Sequence, residues 1–428
     1  MTNTNNTFDL FDHYVVPSYT RNRVVFVKGK GAKLWDSTGK VYLDFLAGIS
    51  VANTGHCHPL VSEAIAGQAA RLIHVSNLYY NENQGRLAKA LSDLALHGKC
   101  FFCNSGAEAN EALIKLARLW GSSRGRYEVI TMQNSFHGRT IATLTATGQT
   151  KVQDGFAPLP EGFKHAEFNN LESVRAAISE QTAAVLVEAV QGEGGVIPAT
   201  REFMQGLREM CSEKGILLLC DEVQCGMGRT GNWFGFQAYG IEPDACSMAK
   251  ALGSGYPIGA ILTNRDLADV FQPGHHASTF GGSPLACAAA LATIQVIQDE
   301  RLLQNAVAMG KRLKDGLQAL VDKYAHLTDV RGTGLMLGLV LDQTAKDLEQ
   351  RLMDMGLITL ATAGNVIRML PPLNVRESEI DEALDMIDDV CDEWHIELDG
   401  ISVDETDVND EPAAAPAEPA APATPGAE

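Results

Sequence analysis

Two apolar runs with a helical segment between them constrain the fold of this chain most strongly. The runs AAVLVEAV (183–190) and GILLLCDEV (215–223) are apolar on both faces, which is typical of strands buried in a parallel sheet. The intervening segment REFMQGLREMCSEKG (201–215) repeats apolar residues at helical spacing. Strand, helix and strand in this order predict an α/β fold in which helices wrap a mostly parallel sheet.

The two ends of the chain follow a different pattern from the middle. Residues 23–46 contain short strand-like runs separated by turn glycines, and residues 376–394 place apolar side chains on one helical face. We therefore expect a large domain over residues 61–290. A smaller α+β domain is expected to be assembled from both termini, residues 1–60 and 291–400.

Charge and hydropathy restrict the classes of partner. The 428 residues carry a formal net charge of -19, which argues against nucleic acid and anionic membranes as partners. Part of this charge lies in residues 401–428, an acidic Pro/Ala-rich tail that we expect to be disordered. No apolar run approaches the ~20 residues of a membrane span, and the polar first residues lack the pattern of an export signal. These features predict a cytoplasmic protein.

The cysteines give no strong indication of redox or metal chemistry. Cys100 and Cys103 form a C-x-x-C, but they follow a strand-like run, whereas a redox pair usually opens a helix. The run GHCHP (55–59) offers soft ligands, yet no second cluster at metal-ligand spacing completes a site. We expect reduced thiols and no bound metal.

A single lysine stands among small and apolar residues in SMAKALGSG (247–255). The nearest acidic residues along the chain are Asp244 and Asp266, so no sequence neighbour balances the charge of Lys250. A lysine buried without a partner is costly unless it is neutralised or used chemically. The alternative is a lysine whose ammonium reaches the surface from a loop.

Two further features lie where ligands of α/β proteins usually bind. Asn104, Ser105 and Gly106 lead into an amphipathic helical run, and the free N–H groups of such a helix start bind anions. Alternatively, Ser105 and Glu108 form only a capping box. Asp221 ends a strongly apolar strand, where it could serve as a metal ligand, a ribose ligand or the partner of a protonated ring nitrogen.

One cofactor accounts for all three features. Pyridoxal phosphate offers a phosphate to the helix start at Ser105, a pyridine nitrogen to Asp221 and an aldehyde that forms a Schiff base with Lys250. A metal at Asp221 is less favoured because no second carboxylate cluster completes a site. The sequence therefore predicts a pyridoxal-phosphate enzyme.

The sequence also resembles the class III (ornithine-type) pyridoxal-phosphate aminotransferases from about Tyr19 to Leu373. The resemblance rests on an ordered set of motifs: GKGAKLWDSTGKVYLDFLAGISV, GHCHP, SNLYY, NSGAEANEA, SFHGRT, VEAVQGEGGV, CDEVQCGMGRTG, AKALGSGYPIGA and STFGGSPLACA. It implies the fold type I of pyridoxal-phosphate-dependent transferases. It also implies a homodimer with shared active sites.

The resemblance implies a role for each matching residue around the cofactor. Lys250 moves the proton during catalysis, and Asp221 keeps the ring nitrogen protonated. Further cofactor contacts are implied for a set of residues in the same motifs, the last of them reaching across from the other subunit: Ser105, Gly106, Ala107, Phe136, Glu222, Val223, Gln224 and Thr279.

Substrate recognition is implied at a second set of positions. Arg139 and Arg368 match carboxylate-binding arginines, and Glu193 matches the glutamate that pairs with Arg368 while an ω-amino donor is bound. Tyr19 and, from the other subunit, Ser278 complete the implied substrate contacts.

Ile49 bears on the choice of donor. Ornithine-specific relatives carry a tyrosine at the matching position, so an apolar residue favours an acylated donor. The alternative is that Ile49 merely fills core space.

The resemblance implies transfer of the δ-amino group of N2-acetyl-L-ornithine to 2-oxoglutarate, in arginine biosynthesis. Succinylornithine, succinyldiaminopimelate, ornithine and 4-aminobutyrate are alternative donors on the same scaffold, as is an aminomutase reaction. A binding protein without enzymatic activity is a further alternative, but such a protein would have no need of Lys250.

Overall fold

The computed structural model describes residues 4–400, and the tail expected over residues 401–428 lies outside the described residues. The strands are β1 (Phe26–Lys30), β2 (Lys33–Asp36), β3 (Val41–Asp44), β4 (His97–Cys103), β5 (Glu128–Met132), β6 (Phe163–Ala166), β7 (Thr182–Glu188), β8 (Val190–Gln191), β9 (Ile197–Pro198), β10 (Leu217–Asp221), β11 (Ala245–Met248), β12 (Gly259–Asn264), β13 (Leu327–Thr333), β14 (Met336–Leu341), β15 (Leu357–Ile358), β16 (Leu360–Thr362) and β17 (Val366–Met369).

The helices lie between these strands and at both ends of the described chain. They are α1 (Thr4–Tyr14), α2 (Ala47–Ser50), α3 (Pro59–Ala69), α4 (Glu82–Leu94), α5 (Gly106–Gly121), α6 (Ile141–Ala146), α7 (Thr150–Gln153), α8 (Leu171–Ala177), α9 (Arg201–Lys214), α10 (Pro284–Asp299), α11 (Leu302–Lys323), α12 (Lys346–Met355) and α13 (Glu377–Gly400). No helix within residues 4–400 is both long and apolar enough to cross a membrane.

A central sheet with the strand order β4-β12-β11-β10-β7-β5-β6 forms the middle of the molecule. Its pairs are parallel except those of β12, which runs antiparallel to both of its neighbours. Along β10, Leu217 and Leu219 share a core cluster with α5, whereas Leu218 and Cys220 share one with α9. Helices therefore pack on both faces of the sheet, which confirms the predicted fold class.

The predicted helix between the two buried strands is α9, and its ends have clear local causes. The hydroxyl of Thr200 accepts a hydrogen bond from the Phe203 N–H and caps the first turn. Gly215 ends the helix in a left-handed conformation with φ 57°. The helix therefore begins and ends close to the bounds that the sequence predicts.

Strand pairing brings the two ends of the chain together. β15 pairs in parallel with β3, so that Leu357 lies opposite Leu43 in the sheet β1-β2-β3-β15. β13, β14, β17 and β16 form a separate antiparallel sheet. Because α10 runs without interruption through residue 290, the predicted boundary there does not fall in a loop, and the domain bounds stay a prediction.

The topology places several chain segments at one edge of the central sheet. Since β12 is reversed relative to both neighbours, β4 runs in the same direction as β10 and β11. The carboxyl ends of these strands meet at one edge, followed by the start of α5, by Asp221 and by Lys250.

Candidate active site

A cavity of about 410 Å³ opens at this edge of the central sheet. It is lined by most of the residues that the sequence predicts for the cofactor, together with one predicted for the substrate: Ser105, Gly106, Ala107, Phe136, Asp221, Val223, Gln224, Lys250 and Arg139. The three features on which the cofactor prediction depends therefore face one cavity.

Asp221 is held by a buried group that we call the floor cluster, formed by Asn110, His137 and Asp221. Asn110 Nδ2 and His137 Nδ1 lie 2.7 and 2.8 Å from Asp221 Oδ2. The Val223 N–H donates to Oδ1 at 3.0 Å. Burial opposes the charge of His137, but its contact with Asp221 raises the pKa of this imidazole overall. The carboxylate of Asp221 is therefore fixed in position.

Lys250 follows β11 at the start of a short 3₁₀ turn, with φ 42°. Its half-buried side chain lines the cavity. It makes no hydrogen bond or ion pair with any residue in the described part of the chain. Burial, and then the positive charge of Arg368, lower the pKa of Lys250. A neutral amine is therefore more accessible here than at a surface lysine, as nucleophilic or proton-transfer chemistry requires.

The start of α5 serves both roles that the sequence left open. Ser105 Oγ accepts a hydrogen bond from the Glu108 N–H at 3.2 Å and so caps the helix. The same turn also lines the cavity. A Cβ on Gly106 would lie 2.7 Å from Val223 Cγ1, so the backbone approaches the cavity wall more closely than another residue would allow. The first N–H groups of this 16-residue helix can thus receive a phosphate.

These groups fit pyridoxal phosphate. The α5 start suits its phosphate, the Asp221 carboxylate suits a protonated ring nitrogen, and the Lys250 amine suits its aldehyde. Within residues 4–400, no group of three or more His, Cys, Asp and Glu side chains could hold a metal ion.

Arg368 and Glu193 do not line this cavity, but next to its wall residue Gln224 they form an ion pair that we call the rim pair. Arg368 Nη1 donates to Glu193 Oε1 at 2.7 Å and to Gln224 Oε1 at 3.2 Å. Burial alone would raise the pKa of Glu193, but Arg368 lowers it overall. The Nε and Nη2 groups of the fully buried Arg368 have no hydrogen-bond partner among the described residues. Unsatisfied guanidinium donors are suited to a carboxylate.

Ile49 lies in α2, a single turn whose residues all have positive φ values. A β-branched residue with φ 65° is a backbone outlier, and such strain clusters at functional sites. A hydrogen bond links this turn to the cavity wall: Ser50 Oγ donates to the carbonyl oxygen of Gln224 at 3.2 Å. Ile49 itself is half-buried against the core and does not line the cavity.

Several residues predicted for the site lie outside this cavity. The carboxylate of Glu222 accepts hydrogen bonds from the N–H groups of Gly235 and Phe236, and burial raises its pKa to about 8. Glu222 lies just after β10 and does not line this cavity. Its contact with the cofactor stays a prediction. Tyr19 is 74% exposed.

Ser278 and Thr279 also lie outside the cavity of a single chain. Ser278 Oγ accepts a hydrogen bond from the Gly281 N–H at 3.0 Å, and Thr279 is exposed. Both residues are predicted to act across a dimer, so the single chain leaves that prediction open.

Three residues of the site are absent from the sequence-based prediction. Asn110 and His137 belong to the motifs NSGAEANEA and SFHGRT, and their contacts with Asp221 show what those motifs contribute. Glu188 ends β7 directly opposite Asp221, lines the cavity and has a pKa raised to about 7, chiefly by burial. Its position at the carboxyl end of an apolar strand is the signal that could have identified it.

A family model described as "Aminotransferase class-III" matches residues 14–391. The chain belongs to the class-III aminotransferases. It is therefore a pyridoxal-phosphate-dependent transaminase, as the site geometry and the sequence motifs both indicated.

Relatives of this class-III chain match it over most of their length. A protein named acetylornithine aminotransferase from Gloeobacter violaceus is 50% identical over 385 residues, 89% of this chain and 96% of the relative. Another of that name from Methanocaldococcus jannaschii is 47% identical over 388 residues, 90% of this chain and 98% of the relative.

Solved structures agree with this assignment. Ornithine aminotransferase from Toxoplasma gondii superposes with a TM-score of 0.89 at 32% identity, covering 93% of this chain and 97% of that protein. Acetylornithine aminotransferase from Elizabethkingia anophelis superposes with a TM-score of 0.82 at 33% identity, covering 92% and 100%.

Proposed function

We propose that the protein transfers the δ-amino group of N2-acetyl-L-ornithine to 2-oxoglutarate. The products are N-acetyl-L-glutamate 5-semialdehyde and L-glutamate, in a cytoplasmic step of arginine biosynthesis. The observation that carries the proposal is the rim pair, in which Arg368 is neutralised by Glu193 yet retains unsatisfied donors. The name shared by curated relatives at 46–50% identity supports the acetylated donor.

The rim pair addresses the central difficulty of such a reaction. The donor presents an ω-amino group on a carbon without a carboxylate, whereas 2-oxoglutarate carries a carboxylate beside its reacting carbon. With Glu193 on Arg368, the site presents no free cation there. When Glu193 leaves, the guanidinium can bind the carboxylate of the second substrate.

The catalytic roles are assigned to the chain's own groups. Bound pyridoxal phosphate supplies a ring that withdraws electrons from the substrate carbon bearing nitrogen. Asp221 would hold the proton of the ring nitrogen in place, and its hydrogen bonds within the floor cluster fix the position of this carboxylate. With the cofactor bound, Lys250 Nζ would remove and carry the proton of the substrate carbon that bears nitrogen. The two substrates react in turn, with ping-pong kinetics.

Arg139 is assigned to the carboxylate of the acylated donor. It lines both the main cavity and an adjoining outer cavity of about 370 Å³. Its guanidinium carbon lies 5.5 Å from the centre of the Phe136 ring, which steadies the planar side chain at the entrance. The apolar Ile49 supports an acylated donor because no hydroxyl is available there for a free amino group.

A homodimer with shared active sites is part of the proposal. The loop before α4 exposes Leu78 and Tyr80 at 86% and 106%, and Phe280 beside Thr279 is 62% exposed. Exposed large apolar side chains grouped in this way indicate a protein interface. A second copy covering this surface would bring Ser278 and Thr279 to the partner's cavity. Light scattering of the purified protein tests the dimer directly.

The absorbance spectrum of the holoenzyme tests the donor. We expect N2-acetylornithine, added without a keto acid, to replace the visible cofactor band with the band of its amine form. Ornithine, 4-aminobutyrate and N2-succinylornithine serve as matched comparisons under the same conditions. A visible band that acetylornithine leaves unchanged would contradict the donor. The absence of any band after incubation with pyridoxal phosphate would contradict the role of Lys250.

A further inference from the structure

Lys151 is an unpaired cation beside the rim pair. It lies in α7 and lines two outer cavities, of about 600 and 370 Å³, and Glu193 lines both of them as well. Lys151 is exposed and forms no ion pair with any residue between 4 and 400. Lys346 lines the smaller of these cavities too, but it is paired with Glu349 at 2.7 Å.

Opening of the rim pair would leave the Glu193 carboxylate in need of another positively charged partner. If Arg368 is to bind a substrate carboxylate, the Glu193 carboxylate must leave a contact of 2.7 Å with a fully buried guanidinium. A carboxylate that loses its partner in a partly buried position is costly unless another cation or water receives it. Glu193 is 30% exposed, so its displaced position is only partly hydrated.

The backbone around Glu193 restricts how the carboxylate can move. The Thr362 hydroxyl donates to the Glu193 carbonyl at 2.9 Å. A Cβ at Gly194 would lie 2.8 Å from the Asn134 carbonyl oxygen, so the loop is packed closely against its neighbours. The side chain of Glu193 must therefore rotate while its backbone stays in place. The outer cavities that it lines are the space available to it, and Lys151 lines both.

We propose that Lys151 is the second counter-ion of Glu193, which it binds whenever Arg368 binds the carboxylate of the incoming keto acid. Lys151 is then a positioning residue that stabilises the open state of the rim pair. The inference rests on the proposed function, because it requires Glu193 and Arg368 to separate during the second half-reaction. In the paired state, Arg368 lowers the pKa of Glu193 most, and the charges of Lys250 and then Lys151 lower it further.

Arg139 is a further cation that lines the smaller outer cavity with Glu193. Its guanidinium lies over the Phe136 ring and also lines the main cavity, where the donor is proposed to bind. Lys151 has no such second contact, and it alone of the two lines the larger outer cavity. The role of second counter-ion of Glu193 is therefore assigned to Lys151.

Glutarate provides a direct test, because this dicarboxylate resembles 2-oxoglutarate but cannot react. Its dissociation constant is measured by calorimetry on the dimeric holoenzyme. We expect Lys151→Met to weaken glutarate binding about fivefold, as the loss of a partly exposed ion pair allows. Lys346→Met removes the same charge from the same outer cavity, and we expect it to change the constant less than about twofold.

A double-mutant cycle separates this role from general attraction of anions. Glu193→Ala should tighten glutarate binding, and adding Lys151→Met in that background should have no further effect. If Lys151→Met weakens binding equally in both backgrounds, Lys151 attracts the dianion directly and the inference is wrong. If Glu193→Ala itself leaves the affinity for glutarate unchanged, Glu193 does not compete with a carboxylate for Arg368. That result would contradict the proposed function as well.

Discussion

The floor cluster and the rim pair are built in opposite ways. In the floor cluster, Asp221 is 3% exposed, and its two carboxylate oxygens accept hydrogen bonds from the buried Asn110 and His137 and from the Val223 N–H. In the rim, Glu193 is 30% exposed and a single ion pair links its carboxylate to Arg368. The floor suits a group that stays in one place through the whole reaction. The rim suits a contact that must break and form once in every cycle.

The largest effect is expected at Lys250, which lies between the two regions. Lys250→Ala should lower kcat about 10⁴-fold, because it removes the amine that moves the substrate proton. The α5 start and Asp221 remain, so the variant should still bind pyridoxal phosphate in a titration followed by fluorescence. Lys89→Ala, an exposed lysine paired with Asp93, is the control. Equal activity of the two variants would contradict the assignment.

The next test removes the central carboxylate of the floor cluster. Asp221→Ala should lower kcat about 10³-fold, since the ring nitrogen loses the anion that holds its proton. Asp244 offers a matched control near the start of β11, where it accepts hydrogen bonds from the Leu218 N–H and from Arg208. Asp244→Ala should lower Tm and leave kcat within a few-fold. A comparable loss of kcat in both would show that Asp221 acts only on stability.

The contribution of His137 to the floor cluster can be tested through the pH dependence of Tm. Its folded pKa is raised, so its pairing with Asp221 contributes stability that is complete below the unfolded value of ~6.5. This contribution is lost as pH rises through the folded pKa. The Tm of the wild type should therefore exceed that of His137→Gln by the largest margin near pH 6, and the margin should shrink toward pH 9. A margin that grows with pH would contradict this pairing.

A histidine with the opposite shift serves as the control for that profile. Burial lowers the pKa of His165, whose ring nitrogen lies 2.8 Å from Thr131 Oγ1. The folded state then favours neutral His165, and its contribution to stability is lost as pH falls through the unfolded value of ~6.5. The margin between the wild type and His165→Gln should accordingly shrink toward pH 5.

At the rim, the expected effect is on specificity rather than on overall rate. Glu193→Ala leaves Arg368 unpaired in both half-reactions, so ordinary α-amino acids should become better donors. We expect the ratio of α- to ω-transamination to rise about tenfold, the effect of one charge-assisted contact. Stopped-flow measurement of each half-reaction gives the ratio directly. An unchanged ratio would show that Glu193 does not gate Arg368.

The two regions also differ in how far the sequence predicts them. Asp221 ends a strand, and Ser105 and Lys250 each lie two residues after one, so local pattern alone indicates a ligand-binding edge. Asn110 and His137 were not predicted, because their partner Asp221 lies 111 and 84 residues further along the chain. Such contacts depend on the order of strands in the sheet, which periodicity does not determine.

Two further features of the site also depend on contacts between residues that are distant in the sequence. Glu222 does not line the cavity, although it is adjacent to Asp221 in a motif that suggests a shared role. Lys151 lines the same outer cavities as Glu193 without forming an ion pair among the described residues, an arrangement that the run GQTKVQ does not reveal. The mostly parallel sheet was predictable because buried strands and amphipathic helices each have a local signature.

The smallest effect is expected at Ile49, which affects the choice of donor from outside the cavity wall. Ile49→Tyr should raise kcat/KM for ornithine relative to N2-acetylornithine by a factor of about three to ten, because a hydroxyl gains access to a free amino group. Ile49→Leu keeps the residue apolar and removes β-branching at φ 65°, so it should raise Tm slightly without changing the ratio. If both variants shift the ratio equally, the turn acts through its backbone strain. If neither does, Ile49 fills core space and the donor is selected at the rim alone.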